Sequence, residues 1–233
     1  MSGHSKWSTI KRAKGAKDAK RSNLFTKLSK NIAVAAKSGS DLESNFKLRI
    51  AVDNAKSFSM PKDNIIRAIK RGSGELEGGI IEELIYEGYG PQGTAILIKI
   101  LTDNKNRTLS NIKYILSKKG GNLGSSGSVL WMFDLKSEII IDQKELLEKE
   151  ELKIIEAGAE EILKEENYIK IIAPPDLLPL LKKKLKDFNI SSADIAYIPK
   201  EKIKILNEKK LLNLLEDLDE NEDVDKIYTN VEI

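Results

Sequence analysis

Apolar residues recur at helical spacing over the first third of the chain and at mixed spacing beyond it. Leu24, Phe25, Leu28, Ile32 and Ala35 predict a first packed helix that stops at Gly39. Ser40 with Glu43 has the form of a capping box, and Phe46, Leu48, Val52, Ala55 and Phe58 supply the apolar stripe of a second helix. A third begins near Ser59, with Pro61 in its first turn and Asp63 at the positive end of the dipole. Ile65, Ile66 and Ile69 of this helix face inward, Gly72 ends it, and Lys62, Arg67, Lys70 and Arg71 lie on its other face. Residues 1–22 have almost nothing apolar beyond Trp7 and Ile10, so they cannot bury a face alone and read as an arm that orders on a partner.

After the glycines at 72, 74, 78 and 79 the periodicity shifts toward strands. Strands are predicted over 80–86 and 94–101 across a Gly88-Tyr89-Gly90-Pro91 turn, a helix over 107–119 and a strand over 127–133. The next stretch reads as strand 138–141, helix 143–156, strands 159–163 and 168–173, helix 175–187 and strand 193–198. This βαββαβ order is that of the ferredoxin-like unit. The tail offers a short strand, a helix over 206–218 and a strand over 226–231, too little for its own core, so it is expected to return and complete the sheet begun at 80. The expected fold is therefore α+β with three domains. A basic helical domain with its arm spans 1–78, a ferredoxin-like α/β domain spans 79–134 plus 201–233, and a second ferredoxin-like domain at 135–200 is inserted into it.

Charge sharpens this division. Residues 1–72 hold 17 Lys and Arg against 5 Asp and Glu, whereas the rest hold 22 against 31. Lys outnumbers Arg 33 to 6, so part of the lysine excess reflects an A/T-biased composition, but that bias does not explain why Asp18 is the only acidic residue among the first 40. A basic module of this kind suits a polyanion, with nucleic acid the leading candidate and a merely solvated basic face the alternative. With no cysteine and His4 as the only histidine, thiolate zinc sites and a cysteine nucleophile are excluded, and neither a cofactor nor a metal is expected. No apolar run approaches a membrane span, no signal peptide is evident, and the expected location is cytoplasmic.

Particular motifs carry a resemblance. They include Gly3-His4-Ser5-Lys6-Trp7, Met60-Pro61-Lys62-Asp63-Asn64-Ile65, Arg67-Ala68-Ile69-Lys70-Arg71-Gly72, Tyr86-Glu87-Gly88-Tyr89-Gly90-Pro91, Leu101-Thr102-Asp103-Asn104 and Lys119-Gly120-Gly121-Asn122-Leu123-Gly124. Through them the chain resembles the YebC/PmpR family over nearly its whole length. The resemblance implies a helical N-terminal domain followed by two α/β domains. It also implies a non-enzymatic regulator, described in the family as a DNA-binding transcriptional regulator, with mitochondrial relatives resembling translational activators of cytochrome c oxidase and bacterial relatives linked to the ribosome. DNA and ribosomal RNA both remain open as partners.

The expected nucleic-acid contacts are Lys6, Trp7, Lys11, Arg12, Lys14, Lys17, Lys20, Arg21, Lys27, Lys30, Lys62, Arg67, Lys70 and Arg71. Lysines bind phosphates as point charges, while base edges favour the arginine fork, so weak sequence specificity is expected. Trp7 serves either to stack on a base or to anchor the arm; Phe25 and Leu28 are expected in the core. Arg107, Lys118 and Lys119 are candidates for partner binding, against a simple helix-capping role for Asp103 and Asn104 before Arg107. The glycine- and serine-rich stretch 120–128 resembles a phosphate cradle in composition but follows a helix, which favours a C-cap and turn. The run from Glu216 to Asp225, with seven carboxylates in ten residues, reads as a solvated helix end rather than a calcium loop.

Overall fold

The structure, a computed structural model, describes residues 18–232. They fall into two compact units, 132–201 and the remainder on either side of it, 18–131 with 202–232.

In the larger unit three helices come first: α1 (Asp18–Ala36), α2 (Phe46–Ser57) and α3 (Lys62–Ser73). Leu28 and Ile32 of α1 meet Leu48, Val52 and Ala55 of α2 and Ile65 and Ala68 of α3 in one apolar cluster. The capping box expected at Ser40 and Glu43 does not start α2. Asn45 does, because its side-chain oxygen accepts from the Leu48 amide while its Nδ2 donates to the carbonyls of Ala35 and Gly39. One buried amide thus ties the end of α1 to the start of α2, and Asp41 instead organises the turn between them by accepting from the Glu43 and Ser44 amides.

The C-terminus of α3 also departs from expectation. The helix runs through Gly72 to Ser73, and Gly74 caps it in the left-handed conformation, φ 83°. Gly72 answers a different need: a Cβ there would lie 2.2 Å from the Ala33 carbonyl oxygen and 2.7 Å from the Ala36 Cβ. Only glycine lets α3 approach the backbone of α1 this closely.

A four-stranded sheet follows, built from β1 (Glu82–Tyr89), β2 (Ala95–Thr102), β3 (Asn122–Leu123) and β8 (Val224–Thr229) in the order β3-β1-β2-β8. α4 (Lys105–Lys118) and α7 (Glu208–Asp219) cover one face. Ile96, Ile98 and Ile100 alternate inward from β2 onto Ile112 and Leu116 of α4 and Leu211, Leu214, Leu215 and Leu218 of α7. The tail therefore completes the sheet, pairing β8 antiparallel with β2. On the opposite side Leu101 and Ile81 pack against Ala33 and Val34, which anchors α1 to the sheet.

The strand expected over 127–133 does not form. The Gly127, Val129 and Leu130 amides donate to the Glu87 carboxylate at 2.5–2.8 Å instead of to a neighbouring strand, and a short 3-10 turn over Leu130–Met132 leads out.

The second unit comprises β4 (Phe133–Ile141), α5 (Glu148–Glu156), β5 (Glu161–Lys164), β6 (Ile169–Ala173), α6 (Leu178–Lys184) and β7 (Ile190–Pro199). Its sheet order β5-β6-β4-β7, all antiparallel, is the ferredoxin-like arrangement. Ile139 and Ile141 of β4, Ile169 and Ile171 of β6, Ile154 of α5, and Leu178 and Leu181 of α6 are all buried. The expected helix over 175–187 is shorter and opens with a 3-10 turn at Pro175–Leu177, where proline removes a backbone donor. Among the described residues no helix is long and apolar enough to cross a membrane.

Gly72→Ala should destabilise the larger unit by about 2 kcal/mol, the overpacking cost less the better helix propensity of alanine. Urea denaturation measures this, and a neutral or stabilising result would show that α1 and α3 can separate freely.

Candidate nucleic-acid interface

The fold divides the predicted cations into engaged and available groups. Lys27 and Lys30, expected to face nucleic acid, are corrected here: both are buried. Lys27 Nζ lies 3.0 Å from Asp219 Oδ1 and donates to the Asp219 carbonyl, while Lys30 Nζ lies 2.6 Å from Asp223 Oδ1 and donates to the Glu222 carbonyl. Asn31 donates to Asp225 at 2.6 Å, and Asn23 to the Glu220 carbonyl at 2.7 Å. The acidic run at 216–225 is therefore not a solvated helix end. Its Asp219, Asp223 and Asp225, with the backbone carbonyls of Asp219, Glu220 and Glu222, form an acidic clasp along one side of α1.

Asp223 is the hub of that clasp. Thr108 Oγ1 donates to it at 2.7 Å and Arg107 at 3.3 Å, in addition to Lys30. Burial pushes the Asp223 carboxyl up, yet Lys30, Thr108 and Arg107 together hold it below the ordinary carboxylate range. Arg107, offered from sequence as a partner-binding residue, is engaged with both Asp223 and Asp103. Asn104 caps α4 by accepting from the Arg107 amide. Lys119 pairs with Asp217 at 2.9 Å, and Lys118 Nζ sits 5.7 Å from the centroid of the Tyr114 ring.

The loop at 120–128 also turns its donors inward. Burial works to raise the Glu87 carboxyl, but the Val129, Gly127 and Leu130 amides hold it below its ordinary value. The anion this nest takes is part of the protein itself. Among the described residues no group of three or more His, Asp or Glu side chains is arranged to hold a metal ion.

What remains available is the outer surface of α3. Lys62, Ile66 and Lys70 recur at four-residue spacing and are exposed, with Arg67 exposed beside them. Among the described residues none of these three cations has an ion-pair partner. Arg71, next along, is partly engaged, with Nη2 at 3.3 Å from both Asp103 Oδ2 and the Gly79 carbonyl. Arg21 on α1 is exposed and places its guanidinium 5.3 Å from the Phe25 ring centroid. Lys6, Trp7, Lys11, Arg12, Lys14 and Lys17 lie outside the described residues, as does the side chain of Lys20.

Between α1 and α3 the same surface is indented by a groove of about 370 Å³, lined by Ser22, Phe25, Thr26, Ser29, Asn64, Arg67, Ala68 and Arg71. Sequence reasoning singled out only the two arginines for binding. The hydroxyls at 22, 26 and 29, one α1 face at helical spacing, were the available signal.

Comparison with known proteins settles the kinship. Residues 5–75 match the TACO1/YebC protein N-terminal domain, and residues 81–231 match the TACO1/YebC second and third domain. The chain belongs to the TACO1/YebC family. A probable transcriptional regulatory protein of Caldanaerobacter subterraneus is 46% identical, the alignment covering 100% of this chain and 99% of that one. One from Desulfotalea psychrophila is 45% identical over 100% of this chain and 96% of its own. The crystal structure of a conserved hypothetical protein from Aquifex aeolicus shares 42% identity and superposes with a TM-score of 0.85 over 94% of each chain. The helical start and two antiparallel sheets are thus the architecture of a TACO1/YebC protein.

Because the Asp223 carboxyl has a lowered folded pKa, its contribution to stability is present above the ordinary carboxylate pKa of about 4 and is lost as pH falls through the folded value. Lys30→Met should cost about 3 kcal/mol at neutral pH by leaving a buried carboxylate short of its closest cation. The gap from the parent should narrow as pH falls through the lowered folded value, where Asp223 takes up its proton in the parent as well. Urea midpoints measured across pH check this, and a pH-independent gap would contradict the assigned role of Asp223.

Proposed function

We propose that this protein is a non-enzymatic, nucleic-acid-binding regulator of gene expression, acting on DNA as a transcriptional regulator. The observation that carries the reading is the exposed outer surface of α3, where Lys62, Arg67 and Lys70 stand without ion-pair partners among the described residues while Lys27, Lys30, Arg107 and Lys119 are engaged internally. Cations that the fold leaves unpaired on one helix suit a phosphate backbone, whose condensed counterions they displace. The stretch before Lys20 adds further basic residues at Lys6, Lys11, Arg12, Lys14 and Lys17. The names of the relatives from Caldanaerobacter and Desulfotalea support the transcriptional reading.

A second reading, binding of ribosomal RNA by a translation factor, draws on the arginines. Arg49 donates to the Leu42 and Glu43 carbonyls, and Arg71 and Arg107 are held by Asp103 and Asp223. Few guanidinium forks are left for bidentate reading of base edges, which favours recognition by backbone and shape. On either reading the location is the cytoplasm.

Crosslinking in cells, followed by sequencing of the recovered nucleic acid, separates the two. Discrete DNA sites support the transcriptional reading, defined positions in ribosomal RNA support the translational one, and recovery of neither refutes nucleic-acid binding. In vitro, Lys62→Ala combined with Lys70→Ala should lower affinity for any nucleic acid and flatten the dependence of log affinity on log salt by about 0.7 to 0.9 per lost phosphate contact. An unchanged slope would remove α3 from the interface.

A further inference from the structure

We infer that the groove between α1 and α3 receives a single unpaired nucleotide, its phosphate held by Arg67 and Arg71 and its base against Phe25. This rests on the nucleic-acid reading above and specifies the form of nucleic acid that it prefers.

Size is the first argument. At about 370 Å³ the groove sits near the lower end of small-ligand clefts, which run from roughly 300 to 1,000 Å³. It accommodates one nucleotide and cannot admit a duplex. Close contact at Gly72 with Ala33 and Ala36 holds the helices together at their C-terminal ends, so the groove running from that contact toward their N-termini is a fixed feature of the packing.

Chemistry is the second. The α3 wall carries Arg67, which has no ion-pair partner among the described residues, and Arg71, which commits Nη2 to Asp103 and Gly79 and keeps its charge beside the groove. A guanidinium has five donors, so Arg71 can serve Asp103 and a phosphate together. The α1 wall carries the hydroxyls of Ser22, Thr26 and Ser29. Thr26 donates to the Ser22 carbonyl at 3.1 Å, whereas the Ser22 and Ser29 hydroxyls and the side-chain amide of Asn64 make no hydrogen bond among the described residues. Uncommitted donors facing two arginines across one groove match the acceptor-rich phosphate and sugar of a nucleotide.

The third argument is Phe25. It is only partly buried, it contributes to the groove lining, and the Arg21 guanidinium stands 5.3 Å from its ring centroid. An aromatic ring with an arginine over it is a surface on which an unstacked base packs irrespective of its identity. A base paired within a duplex cannot reach such a position, so the groove selects for single strands, loops or melted segments.

The test uses the full chain and fluorescence anisotropy with labelled oligouridine, oligothymidine and a blunt mixed-sequence duplex. Single strands should bind more tightly than the duplex. Phe25→Leu should weaken single-strand binding about tenfold while leaving duplex affinity within about twofold, whereas Arg67→Ala, which also removes a cation of the outer α3 surface, should weaken the duplex as well but single strands more strongly. Lys62→Ala, outside the groove, should weaken all three ligands alike. Thermal midpoints establish that the variants are folded, and Ser29→Ala, which breaks no hydrogen bond among the described residues, provides a further variant that should weaken single-strand binding alone. Preference for oligouridine would assign RNA, and equal binding of both oligomers would assign unpaired strands of either sugar; both support the groove. Equal or tighter duplex binding, or groove variants that alter duplex and single strand equally, would overturn this inference and leave the nucleic-acid reading standing. Binding of none of the three ligands would overturn both.

Discussion

The arrangement of the larger unit depends on the contact between α1 and the acidic end of α7 with the start of β8. Lys27 and Lys30 are strongly hydrated cations on flexible stems, and burying either one alone would be prohibitive. Each is placed instead against a carboxylate and a backbone carbonyl at 2.5–3.0 Å. Asp223 then bridges Lys30 to Arg107 and Thr108 of α4, so three segments distant in sequence converge on one carboxyl group. A buried polar network of this kind contributes specificity of placement more than net stability, because desolvation offsets much of the Coulombic gain. Its consequence is orientation: with one side of α1 fixed on the acidic clasp and Ala33 against Leu101 and Ile81, the three-helix cluster keeps a defined outward surface.

That orientation decides which charges remain to act. A lysine closed into a buried ion pair offers nothing to a phosphate, whereas Lys62, Arg67 and Lys70 on the opposite helix have their electrostatics uncompensated. Acidic residues late in the chain thus neutralise part of the basic segment and leave a narrower cationic surface than composition suggests. The same economy operates at Glu87, whose carboxylate satisfies three amides of the glycine-rich loop and closes a nest that would otherwise attract an anion from outside.

Much of the architecture was legible before any coordinates. The alternation through 96–100 and the helical stripes at Leu28, Ile32 and at Leu48, Val52 mark elements whose type is set by side-chain periodicity. The βαββαβ order of the second unit was readable for the same reason, and the tail was placed correctly because a helix and strand with no core of their own must complete another sheet. Boundaries were less legible where a side chain competes with the backbone pattern. Asn45 displaced the capping box at Ser40 by reaching the carbonyls of Ala35, in the preceding helix, and Gly39, just past it, and Glu87 drew away the amides that would have made a strand of 127–133.

By itself, then, the sequence determined the class of most segments, the insertion of one unit within the other and the division of charge along the chain, all of which follow from local composition and period. Only the tertiary structure decided which of the basic residues are available, because ion pairing acts through space. Lys27 and Asp219 are separated by 192 residues, and no local pattern at either end reports the other. It also decided that Ser22, Phe25, Thr26 and Ser29 share a groove with Asn64, Arg67 and Arg71, since that proximity depends on a glycine at position 72 close enough to α1 to exclude a single methyl group.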